Sequence, residues 1–181
     1  MKPTQNSTSD LLLTLLGSVL TPRSAIYVAG PLDTGRSYYE ALARGKVDGS
    51  VRAVNEAALS AFVARLRVQH RPTPVIDPGL LRVPEWSARD VGQFFLETIS
   101  RYAKEAWFID GWEYSSGATK EYLHCVALGI PCLTAEGGRI GPVHAVALLS
   151  SALEEIGRLG VPAPKLSERL TGFRHLLDDA H

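Results

Sequence analysis

"AWFIDGWEYSSGATKEYLHCVA", residues 106–127, changes character once along its length. Ala106 to Ile109 is apolar. Asp110 to Gly117 is acidic, aromatic and small. Tyr122 to Leu128 is amphipathic. A short apolar run closed by turn residues reads as a buried strand, and the later stretch as a helix. Ser115 and Ser116 are residue types that cap a helix start. Gly117 lets the backbone turn tightly and lets a ligand come close. The start of the helix offers backbone N–H groups and a partial positive charge, which suit a phosphate or another anion. Glu121 follows Gly117 by about one helical turn, which carries it toward the strand ends. By itself that spacing fits equally well a capped helix with Glu121 as a capping-box or surface carboxylate.

The same strand-then-helix unit recurs on both sides. Strands are expected at 24–30 ("SAIYVAG"), 73–78 ("TPVIDP"), 106–110 and 130–135 ("IPCLTA"). Helices are expected over 51–69, from an N-cap at Ser87 to about Lys104, over 116–129, over 141–159 and over 165–179. In the 51–69 helix the inward positions read as Val54, Ala58, Ala61, Phe62 and Leu66. Residues 32–50 read as a loop with one helical turn. Alternation of this kind implies a doubly wound, flavodoxin-like or Rossmann-like α/β fold, with four to five parallel strands and flanking helices. A chain of 181 residues suits one domain. Its parts are a lead-in with a helix (1–23), a core with the site (24–135) and C-terminal helices (136–181). Sites in such folds lie beyond the carboxyl ends of the strands, so the loops after Gly30, Asp77 and Asp110 should converge.

Composition narrows the partners. Lys+Arg and Asp+Glu are both 19, so no net charge favours nucleic acid. The two cysteines, Cys125 and Cys132, have no CxxC spacing and fit a reducing cytoplasm. The histidines lack ligand spacing, so neither a metal nor another cofactor is expected. Leu11 to Leu20 is apolar, but one lysine before it and Asp10 against it argue against a secretory signal. It reads as an amphipathic helix capped by Ser7 or Ser9, and ten residues are too few to span a bilayer.

The first loop, "YVAGPLDTGR", holds Gly30, Pro31, Asp33, Gly35 and Arg36 without a GxGxxG or P-loop pattern. Read alone, Tyr27 is a core residue, and Asp33 and Arg36 a solvated pair. Together, "IYVAGPLDTGR" and "DGWEYSSGATKE" resemble the nucleoside 2-deoxyribosyltransferase-like superfamily, most closely the nucleoside 5′-monophosphate N-glycoside hydrolases. The resemblance spans about residues 24–135. It implies that Glu121 attacks C1′ of the sugar and that Tyr27 holds Glu121. It implies that Ser115, with Ser116 and Gly117 beside it, contacts the 5′-phosphate. Gly30, Pro31, Asp33, Gly35 and Arg36 would surround sugar and phosphate, although those hydrolases carry a basic residue where Asp33 stands. Asp110 and Trp112 would line the substrate. The acid near the base would be Glu97 by ungapped spacing, or Asp90 by its local "Arg-Asp" pattern. The family completes its pockets across subunits, which implies a homodimer or higher homo-oligomer. Consecutive Phe94, Phe95 and Leu96 add to that expectation, since one of them could face outward.

The chemistry stands without the family. Breaking an N-glycosidic bond passes through an oxocarbenium-like state, which a carboxylate beside C1′ stabilises or captures. A carboxyl walled by Trp107, Trp112 or Tyr114 would have a raised pKa. The expected substrate is a small nucleotide or nucleoside. The rival readings are a deoxyribosyltransferase, a nucleotide-sensing domain without turnover, and a NAD-cleaving enzyme.

Overall fold

The computed structural model describes residues 8–178. Its centre is a four-stranded, all-parallel sheet: β1 (Ala25–Ala29), β2 (Val75–Ile76), β3 (Ala103–Phe108) and β4 (Cys132–Thr134), in the order β2-β1-β3-β4. Tyr27 lies level with Ile76 on one side and Ala106 on the other, and Ala106 with Cys132. Among the described residues seven α-helices flank it: α1 (Thr8–Val19), α2 (Arg36–Ala43), α3 (Ser50–Gln69), α4 (Ala88–Tyr102), α5 (Ser116–Ala127), α6 (Pro142–Arg158) and α7 (Pro164–Asp178).

Every residue of β1 is buried, as expected of a central parallel strand covered on both faces. Its alternation divides the core. Ile26 and Val28 join Leu59, Phe62, Val63 and Leu66 of α3, together with Trp107 and Ile109. Ala25, Tyr27 and Ala29 join Phe108 and the inner faces of α4, α5, α6 and α7 on the opposite side. The fold is therefore the doubly wound arrangement expected from the alternation. The chain leaves β1 for β2 on one side and β3 for β4 on the other, which puts the crevice of the topological switch at the carboxyl ends of β1 and β3.

Several local expectations are corrected. Residues 36–43 form a full two-turn helix, with Tyr39 and Ala41 buried, where a single turn was expected. Strand β2 keeps only two residues because Pro74 and Pro78 flank it. In α3 the inward stripe is Val51, Asn55, Leu59, Phe62, Val63 and Leu66, whereas Val54 is 63% exposed. The stripe is shifted because the Asn55 amide turns inward and donates to the carbonyls of Leu32 and Thr34, at 2.9 and 2.6 Å, tying the first loop down. Ser9 lies within α1, so it is not its cap, while Ser7 and Asp179 fall outside the described residues. Phe94 and Phe95 are both buried, and Phe94 packs 5.2 Å from Trp86 under the 79–87 loop. Leu96 is half-buried. The α4 aromatics thus belong to the core and supply no outward patch. Among the described residues no helix is long and apolar enough to cross a membrane.

Candidate active site

Tyr27 stands at the midpoint of β1 with no exposed surface, and its hydroxyl donates to Glu121 Oε1 at 2.9 Å. The Phe95 ring meets the Tyr27 ring edge-on, with centroids 6.2 Å apart, and restricts its rotation. Glu121 arrives from α5, whose start is set by Ser115. The buried Ser115 Oγ accepts from the Ala118 N–H at 3.3 Å, and its carbonyl accepts from Thr119 Oγ1 at 2.9 Å. A capping-box role for Glu121 is thereby removed: the cap closes at Ala118, and Glu121 faces the sheet instead.

Burial strips water from the Glu121 carboxylate and pushes its pKa up to about 7, although the Tyr27 hydrogen bond and the Lys120 charge pull it down. Tyr27 is raised well above its ordinary value, first by burial and then by the neighbouring Glu121 charge; Asp77 adds to this from the end of β2. Asp77 also accepts from the Gly79 N–H at 2.9 Å, which closes the 3₁₀ turn Pro78–Leu80.

The third loop turns at Gly111, which has a left-handed φ of 82°, and continues as the 3₁₀ turn Trp112–Tyr114. Gly117, expected to be the turning glycine, is helical. A Cβ built there would meet only Ser115 Oγ, at 3.7 Å, so the surface beside it is open to a ligand. Gly30 is required by close approach instead, since a Cβ there would come within 2.5 Å of Ile109 Cγ1 where the first and third loops cross. Gly35 has φ 123° and follows the buried Pro31.

The rim is made of paired charges. Arg36 donates from Nε to Glu155 Oε1 at 2.7 Å and from Nη2 to Oε2 at 2.5 Å. Its guanidinium lies 5.6 Å from the centre of the Tyr114 ring, and the Tyr114 hydroxyl donates to Glu155 Oε2 at 2.5 Å. Those bonds hold Glu155 down at about 2, with Arg36 the main cause. Burial and the bond to Glu155 raise Tyr114 to about 12. Glu113 is half-buried and shifted upward, mainly by burial and also by Asp110. Asp33 pairs with Arg52, which also holds Glu56 at 2.7 Å, and Glu56 in turn holds Arg82. The first-loop pair read as Asp33 with Arg36 is thus two separate pairs.

The other expected residues fall elsewhere. Asp90 completes the capping box of α4, accepting from the Ser87 N–H at 2.9 Å. Glu97 sits about two turns further along α4, paired with Arg101 at 2.8 Å. Trp112 is buried against Phe108, Tyr122 and Phe173, so it packs the core beneath the loop. Trp107 lies on the α3 face of the sheet, opposite Tyr27, and does not wall the site. His124 bonds Ser100 Oγ at 2.7 Å between α4 and α5, a structural role. Among the described residues no group of three or more His, Cys, Asp or Glu could hold a metal. Two open clefts, of about 490 Å³ beside Arg23 and Arg101 and about 270 Å³ beside Cys132, border neither Tyr27 nor Glu121.

Glu155 is the rim residue not anticipated from the sequence. Its only signal is an acid beside the buried stripe Ala145, Leu149, Ala152 and Ile156 of α6. Searches against protein-family models, curated proteins and solved structures find no match to the chain.

Proposed function

We propose that the protein hydrolyses the N-glycosidic bond of a nucleoside or nucleoside 5′-monophosphate, with Glu121 as the nucleophile. The observation that carries this reading is the part-buried Tyr27–Glu121 hydrogen bond beside the switch-point crevice. One oxygen of Glu121 is oriented by the phenol, and the other is available to C1′. The ionised carboxylate attacks C1′ as the bond to the base breaks, and the base leaves with a proton. Water then cleaves the glycosyl ester and restores the carboxylate. Of the rim carboxyls, Glu113 has a raised proton affinity and takes the general-acid role in this reading. The same pair would serve a base-exchanging transferase, which differs in forming a new nucleoside when free base is supplied. A domain that only senses nucleotides has no need of a half-buried carboxylate held near neutral pKa. The free thiols of Cys125 and Cys132 fit a reducing compartment.

The test is a screen of nucleosides and their 5′-monophosphates, with chromatographic detection of released base. Base release by the wild type, reduced by about 100-fold or more in Glu121→Gln, is the expected result. No release from any member of the panel overturns the proposal. The homodimer implied by the resemblance belongs to the same proposal, and light scattering that returns a mass near the 19.6 kDa of one chain removes it.

A further inference from the structure

Arg36 is the cation that the first loop offers to a substrate, yet its best edge is already taken. A guanidinium recognises a phosphate or carboxylate through two parallel N–H bonds. Glu155 occupies such an edge through Nε and Nη2. Tyr114 secures both partners, with its hydroxyl on Glu155 Oε2 and its ring beside the guanidinium. Tyr114 directly precedes Ser115, the cap of the helix that carries Glu121, so this cluster stands at the mouth of the site.

We propose that Glu155 determines specificity: it withholds Arg36 from a substrate phosphate and turns the site toward unphosphorylated nucleosides. The inference rests on the N-glycosidase reading above and names its substrate class. Arg36 is held by Glu155, and Arg52 by Asp33 and Glu56, so both cations beside the first loop already carry a carboxylate partner. A phosphate dianion would have to displace the Glu155 carboxylate and then remain beside it. Sugar hydroxyls meet no such opposition, because they accept and donate without net charge.

The experiment separates this from the reading it rests on. Ribose and ribose 5-phosphate are titrated calorimetrically into wild type, Glu155→Gln, Tyr114→Phe and the double variant Arg36→Ala/Glu155→Gln. Circular dichroism confirms that each is folded. Glutamine keeps the shape and an acceptor for Tyr114 but removes the charge. Wild type should bind ribose 5-phosphate no more tightly than ribose. Glu155→Gln should gain about tenfold for ribose 5-phosphate alone, Tyr114→Phe a smaller gain, and the double variant none. Wild-type preference for ribose 5-phosphate overturns the proposal. So does an absent gain in Glu155→Gln, or a gain that survives loss of Arg36. In parallel, the ratio of kcat/KM for monophosphate over nucleoside should rise in Glu155→Gln. If base is released but the ratio stays fixed, Glu155 loses this role while the glycosidase reading stands. If no base is released from any substrate, the glycosidase reading fails and the binding titrations still decide Glu155.

Discussion

Glu121 has a pKa near 7, so at neutral pH about half of it is ionised. As the proposed nucleophile Glu121 must be ionised, and as the proposed acid Glu113 must be protonated, so kcat/KM should rise with pH as Glu121 ionises and fall again where Glu113 loses its proton. Tyr27 donates to the ionised form and lowers that pKa. Tyr27→Phe should therefore shift the rising limb to higher pH and slow turnover at pH 7. A pH–rate series on both proteins checks this, and an unmoved limb would separate Tyr27 from the chemistry. Stability carries the same signature with a definite sign. The folded pKa lies above the unfolded one, so the stabilisation linked to the protonated carboxyl is complete below about pH 4.3 and lost as pH rises through about 7. Glutamine mimics the protonated form. Glu121→Gln should melt above the wild type at pH 8, by a margin that closes toward pH 4.5; a constant margin in thermal scans would exclude the linkage. That these two residues meet was implied by the family resemblance alone, since read singly Tyr27 is a core residue and Glu121 a capping or surface carboxylate; the structure brings them together. The partner of Arg36 was not readable in the sequence, because Glu155 lies 119 residues away and nothing local to either residue points to the other.

At the scale of elements, α4 illustrates how one acid can satisfy two patterns. "Ser-Ala-Arg-Asp" at 87–90 is both the Arg-Asp pattern of the resemblance and a capping box, and the structure forms the box in full, with Ser87 Oγ accepting from Asp90 N and Asp90 accepting from Ser87 N. The carboxylate is held below its ordinary value by those Ser87 bonds, so it stays ionised at neutral pH. Asp90→Ala should lower stability by opening the capping box at the start of α4 and leave the pH–rate profile in place. Chemical denaturation beside a pH series distinguishes a cap from a proton donor. The helices were recoverable because caps and apolar spacing are local. Phe62 and Leu66 lie inward as expected, but the first half of the α3 stripe was missed by one position because the inward Asn55 answers to carbonyls of the distant first loop. The two turns of α2 were missed because Tyr39 and Ala41 are buried only once the rest of the core is present.

At the scale of the whole molecule, four strand-then-helix units in sequence were enough to foresee a parallel sheet with a crevice at its carboxyl edge. The order β2-β1-β3-β4 places β1 and β3 side by side at that crevice, although 73 residues lie between the end of β1 at Ala29 and the start of β3 at Ala103. The aromatic cluster of Trp112, Tyr122 and Phe173 links the third loop to α5 and α7. Phe173→Ala should therefore destabilise the fold by about 3–5 kcal/mol, as read from denaturant midpoints, and loosen the loop that presents Ser115. A loss below about 1 kcal/mol would show that α7 is peripheral to the site.

Tyr27 and Glu121 are separated by 94 positions in the chain, and the bond between them closes a loop that contains about half of its 181 residues. Contacts of such long range form late, after the intervening chain has lost its freedom. During synthesis the pair cannot exist until the segment through α5 has emerged and docked. In refolding, recovery of turnover should track the last cooperative step and lag behind the return of helical signal. A truncated or half-folded chain would thus carry Glu121 exposed to water, with an ordinary carboxylate pKa and no orienting phenol. Under the proposed glycosidase reading, the topology itself would keep the chemistry silent until folding is complete.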